Sequence, residues 1–363
     1  YYRRARSLHA LARAVDQVEQ YLGTNFDDAG AGFEDMGHSN YGLFYAADFF
    51  RALRALEGDD HTGFDDGLLH RALRYLVHAT APTFAGLMPN DGVGWSHTTN
   101  PVLLVLPGLY RDGFGAWTWD HISGANRPAA NDFPWKVGGD GAQSQLARTA
   151  FLYDDTILHE SPAGRLSRSL VSPGFGRAHV RSAWEDPEAA YLAVECGIYG
   201  SHGRPNQGHF FYVARGAHLV DDAGGAGPDF NILRLDGEDQ RSAGAHEMLA
   251  STRSSLEGRG TVHVSFDTAA AYQPELDRLW RDFLFVQEEG GIGPYLVVLD
   301  SLADGAGHDA AWLLHGFAGT SWLEVSERHR RLDAGQAALE VVSVAPDDAA
   351  LRVLQGEVAH GRD

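Results

Sequence analysis

The sequence holds one cysteine in 363 residues, so no internal disulfide can form and stability must come from packed cores. That residue, Cys196, lies in the apolar run Tyr191 to Ile198, which only Glu195 interrupts, and it reads as a buried structural thiol. Lysine is nearly absent too. Lys136 is the one lysine among 29 basic residues, so arginine supplies the positive charge. No apolar run approaches the ~18 residues that a membrane-crossing helix requires. A phosphate loop, a dinucleotide glycine fingerprint, a Gly-x-Ser-x-Gly elbow and a CxxC pair are all missing, which removes the common signatures of nucleotide, serine-hydrolase and thiol-redox chemistry. Gly224 and Gly225 follow Asp222-Ala223 and read as a turn after a strand. Positive charge is short: a net charge of −20 argues against nucleic acid as a partner. A polyanion would then need arginines and histidines gathered locally in a cleft. The chain opens without Met, at Tyr1, inside a helical pattern, so a trimmed or partial chain is expected and no leader is legible.

What is present is globular, at 44% hydrophobic residues. Apolar residues recur at helical spacing at Ala5, Leu8, Leu11, Val15, Val18 and Leu22, then at Leu43, Ala47, Phe50, Leu53 and Leu56. Leu69, Leu73, Leu76 and Val77 form a third stripe, and Leu146, Ala147, Ala150 and Phe151 a fourth. Met88-Pro89-Asn90-Asp91-Gly92 reads as a separator between helices, and the aromatic stretch from Trp117 to Gly141 as a long irregular loop of the kind that lines sites. Pro162, Gly164, Pro173, Gly174 and Gly176 mark a linker. Short β-rich runs follow at 179–184, 191–198, 210–213, 261–266, 283–286, 295–299, 312–314 and 339–344. Helices first and strands afterwards predict two segregated domains, helical over 1–165 and β over 166–363.

One segment stands out: Ser201-His202-Gly203-Arg204-Pro205-Asn206-Gln207-Gly208-His209-Phe210, followed by Ala217-His218-Leu219-Val220-Asp221-Asp222-Ala223-Gly224. It resembles the signature of heparinase II/III-type polysaccharide lyases, in which a His-x-His-x-Asp-like loop leads into a strand and the next strand ends in Asp-x-Gly. Arg181-Ser182-Ala183-Trp184, the strands from Trp280 to Ser301, and Trp312-Leu313-Leu314-His315 resemble the β domain of that family. Phe33 to Tyr41, Met88 to Gly92 and Val137 to Asp140 resemble landmarks of its helical domain. The resemblance implies an incomplete (α/α) toroid followed by an antiparallel β-sandwich, in a secreted or periplasmic protein. The implied reaction is β-elimination at a 4-linked uronic acid of an acidic polysaccharide, with no nucleic acid and no membrane as partner.

That reaction needs the uronate carboxylate neutralised, the C5 proton removed and the leaving O4 protonated. By resemblance Tyr41 is the acid or base, or else a packed aromatic on the amphipathic face of its helix. An unperturbed phenol has a pKa of about 10, so a base role requires a cationic neighbour. His202 is the partner base or carboxylate neutraliser. His38 and Glu34 assist as a pair, or form an ordinary helix entry. Arg204 stands where the family has a second, metal-ligating His, and arginine does not ligate. Asp222, His246 and His209 are the candidate ligands of one structural divalent metal, zinc by its donor set. Alternatively Arg204 pairs with Asp222 and replaces the ion. The family's carboxylate-neutralising Asn-His pair does not occur before Tyr41, where Asn25 and Asn40 are the only asparagines. Arg127 and His121 are the substitutes on offer. Arg204, Asn206 and Arg127 are candidate substrate contacts, and Trp95 and Trp135, with Trp117 and Trp119, would stack on sugar rings or pack as ordinary core. Two other classes remain open. A toroid-fold glycoside hydrolase would use carboxylates among Glu34, Asp35, Asp91 and Asp140. A carbohydrate-binding relative would have lost catalysis.

Overall fold

The computed structural model describes residues 2–33, 36–57, 67–82, 87–90, 94–97, 102–125, 154–199, 205–221, 230–241, 247–273, 276–287, 293–303, 307–317 and 319–344. The chain divides into two compact units, Tyr1–Val77 with Thr99–Glu160, and His78–Thr98 with Ser161–Asp363.

The first unit is helical. It contains α1 (Tyr2–Asn25), α2 (Met36–Glu57), most of α3 (Leu68–Ala79), α4 (Val102–Tyr110) and α5 (Gly113–Ala125). The expected stripes of α2 and α3 are its core: Leu43, Ala47, Phe50 and Leu53 are buried, as are Leu69, Leu73, Leu76 and Val77. Leu56, at the end of α2, stays exposed. On α1 the stripe is only partly covered, with Leu22 buried and Leu8 exposed. Helix α4 buries Val102, Leu103, Val105 and Leu106. Arg54 donates to the Leu109 carbonyl at 3.0 Å, satisfying one of the orphan acceptors at the end of α4.

Helix α5 corrects the sequence reading. Its residues sit in the stretch expected to be irregular, yet Asp112 starts a helix there. One Asp112 carboxylate oxygen accepts the N–H groups of Phe114 and Gly115 at 2.9 and 3.0 Å, an N-terminal cap that outweighs the loop-like Gly and aromatic content. The other oxygen takes Nε2 of His70 and the guanidinium of Arg74, each at 2.7 Å. His70 stacks on Tyr110 with ring centroids 4.7 Å apart. Residues 126–141 of that stretch, and the fourth helical stripe, lie outside the described residues.

The second unit begins with a hairpin, another correction. Strands β1 (Leu87–Asn90) and β2 (Gly94–His97) pair antiparallel, so the Met-Pro-Asn segment read as a separator is itself a strand. The turn-forming Asp91-Gly92 falls between the two strands. Beyond it come β3 (Ser169–Ser172), β4 (Arg177–Arg181), β5 (Tyr191–Glu195), β6 (Ile198–Tyr199), β7 (His209–Ala214), β8 (Ala217–Val220), β9 (Leu233–Leu235), β10 (Glu247–Met248), β11 (Ser251–Gly258), β12 (Thr261–Asp267), β13 (Arg278–Val286), β14 (Tyr295–Ala303), β15 (Ala310–Trp312), β16 (Ser321–Ser326), β17 (His329–Asp333) and β18 (Ala338–Val342). Two antiparallel sheets dominate, in the orders β3-β4-β5-β7-β8 and β11-β12-β13-β14. Even-numbered residues of β4 and β5 (Ala178, Val180, Leu192, Val194) join Phe210 and Tyr212 of β7 and meet Val262, Val264, Phe266, Phe283 and Phe285 of the second sheet in one core. Phe283 stands edge-on to both Phe210 and Phe266. Cys196 is buried in the same core and free, and burial pushes its thiol up, as expected of an inert structural cysteine. Gly176 is required beside it: at φ +66° a Cβ would fall 1.5 Å from the Cys196 carbonyl oxygen.

The opposite face of the five-stranded sheet is also buried and is mixed: Tyr191, Ala193, Phe211 and Val213 form an apolar group there, with polar residues beside it. Arg177, His179 and Arg181 of β4, Tyr191 and Glu195 of β5 and His209 of β7 share it. The last residues of α3 and Thr80 after it are tied to this face. Arg181 donates to the His78 and Thr80 carbonyls at 2.6 and 2.7 Å while stacking on Trp184, and the Tyr191 hydroxyl donates to the Ala79 carbonyl at 2.8 Å.

The Asp112 cluster yields the first prediction. Burial works against the Asp112 charge, but the hydrogen bonds from His70 and Gly115 and the field of Arg74 outweigh it and hold the carboxyl below its ordinary value. A depressed carboxyl contributes stability above its unfolded pKa of about 3.9, and that contribution disappears as pH falls through the folded value. Asp112→Asn is therefore expected to cost roughly 1–3 kcal/mol at neutral pH. In urea titrations across pH, the wild type should converge on the variant in acid. Parallel curves would contradict this.

Candidate functional site

The polar end of the five-stranded sheet is built by strand register. Arg177 lies opposite Glu195 and Glu195 opposite His209, so the three form one row across β4, β5 and β7. Arg177 and Glu195 make a buried ion pair at 3.1 Å, and the Asn206 amide donates to the second Glu195 oxygen at 3.0 Å. The Glu195 backbone carbonyl takes the Gly208 N–H at 2.9 Å. A buried carboxylate is tolerable only with its acceptors filled, and here both oxygens are used.

From this row a chain of hydrogen bonds runs between the two sheets. Gln207 accepts the Gly197 N–H, and its own N–H goes to the Gln240 side chain, which returns a bond to the Gln207 carbonyl at 2.8 Å. Gln240 also donates to the Tyr272 hydroxyl, which donates to the Leu233 carbonyl. The Arg281 guanidinium, buried and paired with Asp300 at 2.6 Å, donates to the Gly208 and Asn231 carbonyls. The Asn231 amide in turn donates to the Phe210 and Asp221 carbonyls, each at 2.9 Å, and accepts the His315 N–H at 2.7 Å.

The consequence is geometric. Segments 200–204, 222–229 and 242–246 lie outside the described residues, but their flanks meet at this one end of the sheet. Tyr199, just before the first segment, pairs with Glu247, just after the third. Asn206 and Gln207 follow the first segment, and Asp221 and Asn231 flank the second. Arg241 opens the third and pairs with Glu247 at 2.5 Å. The structure thus gathers the roots of the stretches that carry His202, Arg204, Asp222 and His246.

The expected site residues fare differently. Glu34, His202, Arg204, Arg127, Trp135, Asp222 and His246 lie outside the described residues. His38 and Tyr41 fall on α2 and Trp95 on β2, but their side chains are outside the described set. His121 is on α5 rather than a loop, its Nδ1 2.9 Å from the Trp117 carbonyl oxygen and its ring stacked on Trp117. Asn206, expected to touch sugar, is 3% exposed and spends its amide on Glu195. In this arrangement it supports the loop from below. His209, expected as a metal donor, is fully buried, packed edge-on against Phe211 and Phe230. Its Nδ1 accepts the Asn231 N–H at 3.0 Å, so the ring proton sits on Nε2. A metal-ligating histidine has the opposite pattern, donating from its second nitrogen, so this geometry makes His209 a structural group rather than a ligand. Among the described residues no three of His, Cys, Asp and Glu come together to hold a metal.

Sequence reasoning passed over Arg177, Asn231, Gln240, Arg281 and Asp300. For Arg281 and Asp300 the signal is a charge inside an apolar β run, whereas Gln240 lies in a polar turn segment and carries none.

Two predictions follow from the junction. Asn231→Ala leaves two buried carbonyls and one N–H without partners, and should destabilise the second unit by roughly 2–4 kcal/mol in denaturant melts. An unchanged midpoint would show that the junction does not hold the loop roots. Burial, followed by the fields of nearby cationic groups, holds His179 and His209 well below the usual imidazole range, and burial pushes His218 down to about 4. The folded chain keeps these rings neutral while unfolded histidine protonates near pH ~6.5. The unfolded state thus binds more protons below that value, and stability should fall as pH drops from there toward 4. Flat stability over that range would refute it.

No protein-family model matches the sequence, and no curated protein matches it. The fold is similar to that of solved structures. One is the crystal structure of a heparan sulfate lyase HepC mutant from Pedobacter heparinus, with a TM-score of 0.55 and 14% identity, covering 87% of this chain and 46% of that one. Another is the crystal structure of heparinase III, with a TM-score of 0.54 and 14% identity, covering 87% of this chain and 48% of that one. The chain spans about half the length of these structures, and at such identity the likeness is one of fold.

Proposed function

We propose that this chain carries the fold and part of the catalytic apparatus of a polysaccharide lyase that cleaves an acidic, uronate-containing glycan by β-elimination. The observation that carries the reading is the convergence of the roots of the three segments bearing His202, Arg204, Asp222 and His246 on one buried polar junction. The fold likeness to heparan sulfate lyases supports it. The helical unit is read as an incomplete (α/α) toroid, and the protein as secreted or periplasmic. Among the described residues no helix is long and apolar enough to cross a membrane.

In this reading a base removes the C5 proton of the uronate, the C4–O4 bond breaks, a C4–C5 double bond forms, and O4 leaves with a proton. Tyr41 and His202 are the acid–base pair, with His38 and Glu34 assisting. Arg204 or Arg127 neutralises the carboxylate on which charge develops, and Trp95 and Trp135 stack on the flanking sugars. A structural divalent metal, zinc by its donors, would be held by Asp222 and His246. His209 does not supply the third donor, so no step is routed through the metal.

The test is incubation with alginate, heparan sulfate, chondroitin sulfate, hyaluronan and ulvan, following the ultraviolet absorbance of the unsaturated uronate. Activity on one polymer is expected, falling at least ~100-fold in both Tyr41→Phe and His202→Ala. Binding without any unsaturated product, from folded protein, would sink the lyase reading and favour a carbohydrate-binding relative.

A further inference from the structure

Arginines of the second unit are matched to carboxylates with some consistency. Arg177 pairs with Glu195, Arg234 with Asp239, Arg241 with Glu247, Arg281 with Asp300 and Arg330 with Glu324. Others do not: Arg168 and Arg181 donate to backbone carbonyls, and Arg253 and Arg278 meet on one indole. Among the described residues Arg253 donates to the Ser265 hydroxyl at 2.8 Å and meets no carboxylate. Among the described residues the Arg278 guanidinium has no hydrogen bond or ion pair, and its Nε is buried without a partner.

Both guanidinium groups lie on the indole of Trp280, with Cζ 3.4 Å from the ring centroid for Arg253 and 4.7 Å for Arg278. Trp280 stands on the outer face of the four-stranded sheet. Along β13, Phe283 and Phe285 point into the core, while Arg278, Trp280, Asp282, Leu284 and Val286 take the other face. Arg253 reaches the same face from the register shift in β11 between Thr252 and Ser254, an irregularity of the kind that re-aims a side chain. The acidic neighbours are engaged elsewhere. Asp282 pairs with His263 at 3.0 Å, and Asp267, the cross-strand partner of Trp280, accepts the Ala269 N–H. In a chain of net charge −20, two guanidinium groups meet on one aromatic ring, and among the described residues neither pairs with a carboxylate.

We propose that Arg253, Arg278 and Trp280 form a surface binding site for an acidic sugar residue, separate from the junction. It would hold a stretch of a polyanionic glycan outside the reaction site. The inference deepens the acidic-glycan reading above and rests on it for the class of ligand. A carboxylate or sulfate meets the terminal N–H groups of the two guanidinium groups, and the indole holds both cations in place.

The test is isothermal titration of the full chain with octasaccharides of heparan sulfate, alginate and maltose, at several salt concentrations. The variant is Arg253→Gln with Arg278→Gln, which keeps the alkyl stems over the indole, and its fold is checked by circular dichroism. Affinity for the acidic octasaccharides should fall about tenfold or more. The slope of log K against log salt should shrink by about two charges. The maltose octasaccharide should bind no better to the wild type than to the variant. A loss on heparan sulfate alone identifies sulfate as the group recognised, and a loss on alginate as well identifies carboxylate. Equal affinity and equal salt slope in the folded double variant would overturn the site, even if elimination is observed. Weakened binding in the variant, with no elimination on any polymer, would leave the site standing while the lyase reading fails.

Discussion

The guanidinium of Arg281 is buried between two sheets, and much else follows from how it is satisfied. Asp300 neutralises it, and its remaining donors go to the carbonyls of Gly208 and Asn231. Burial works against the charge, yet the Asp300 carboxylate outweighs it and holds the guanidinium above its ordinary value. Replacing such a pair by apolar groups can be energetically neutral, whereas removing one partner strands a charge. What the pair contributes is specificity of position. Gly208 and Asn231 sit at the feet of two different segments, and a single planar cation fixes both. Asn231 extends the constraint to Phe210, Asp221 and His315.

The sheet's period of two explains why this junction can exist inside a well-packed domain. Alternate residues of β4, β5 and β7 fill the sandwich core with apolar side chains, and the intervening positions carry Arg177, His179, Arg181, Glu195 and His209 beside an apolar group of Tyr191, Ala193, Phe211 and Val213. Polar groups are costly to bury unless their hydrogen bonds are complete, which is why Arg177, Glu195, Asn206, Gln207 and Gln240 appear as a connected set. Acid–base chemistry needs groups held within a fraction of an ångström, and loops rooted in such a network are better placed to do so than loops tied down by apolar contacts alone. The outer face of the second sheet has the opposite character. There, among the described residues, two arginines share one indole and pair with no carboxylate.

Much of the fold was legible because its segments follow strict periods. The stripes of α2 and α3 are buried as written, apart from Leu56, and the runs at 191–198, 210–213 and 261–266 are strands. Strands β11, β16 and β17 escaped because they alternate weakly: β11 is exposed along most of its length, and β17 interleaves arginines with one core leucine. Helix α5 escaped because a single cap, Asp112, decided it against local composition. The hairpin β1–β2 escaped because Pro89 and Asn90 are turn formers that here pair on an edge. In the site, the loops that the sequence singled out lie outside the described residues, and their supports were not legible. Asn206 reads as a loop amide free for sugar, and only the register that brings Glu195 beneath it reveals that it is taken. Conversely, nothing in the spacing of Arg253, Arg278 and Trp280 places them on one ring, because two strand pairings and a bulge intervene.

The most direct test of the account is to digest the preferred polymer in water enriched in heavy oxygen and weigh the products. Elimination breaks the C4–O4 bond without adding water. The products should carry no heavy oxygen, and the fragment with the new non-reducing end should be lighter by one water than a hydrolytic fragment. Incorporation of heavy oxygen at the cleaved bond, with no unsaturated fragment, would show that the glycan is hydrolysed and would contradict the account.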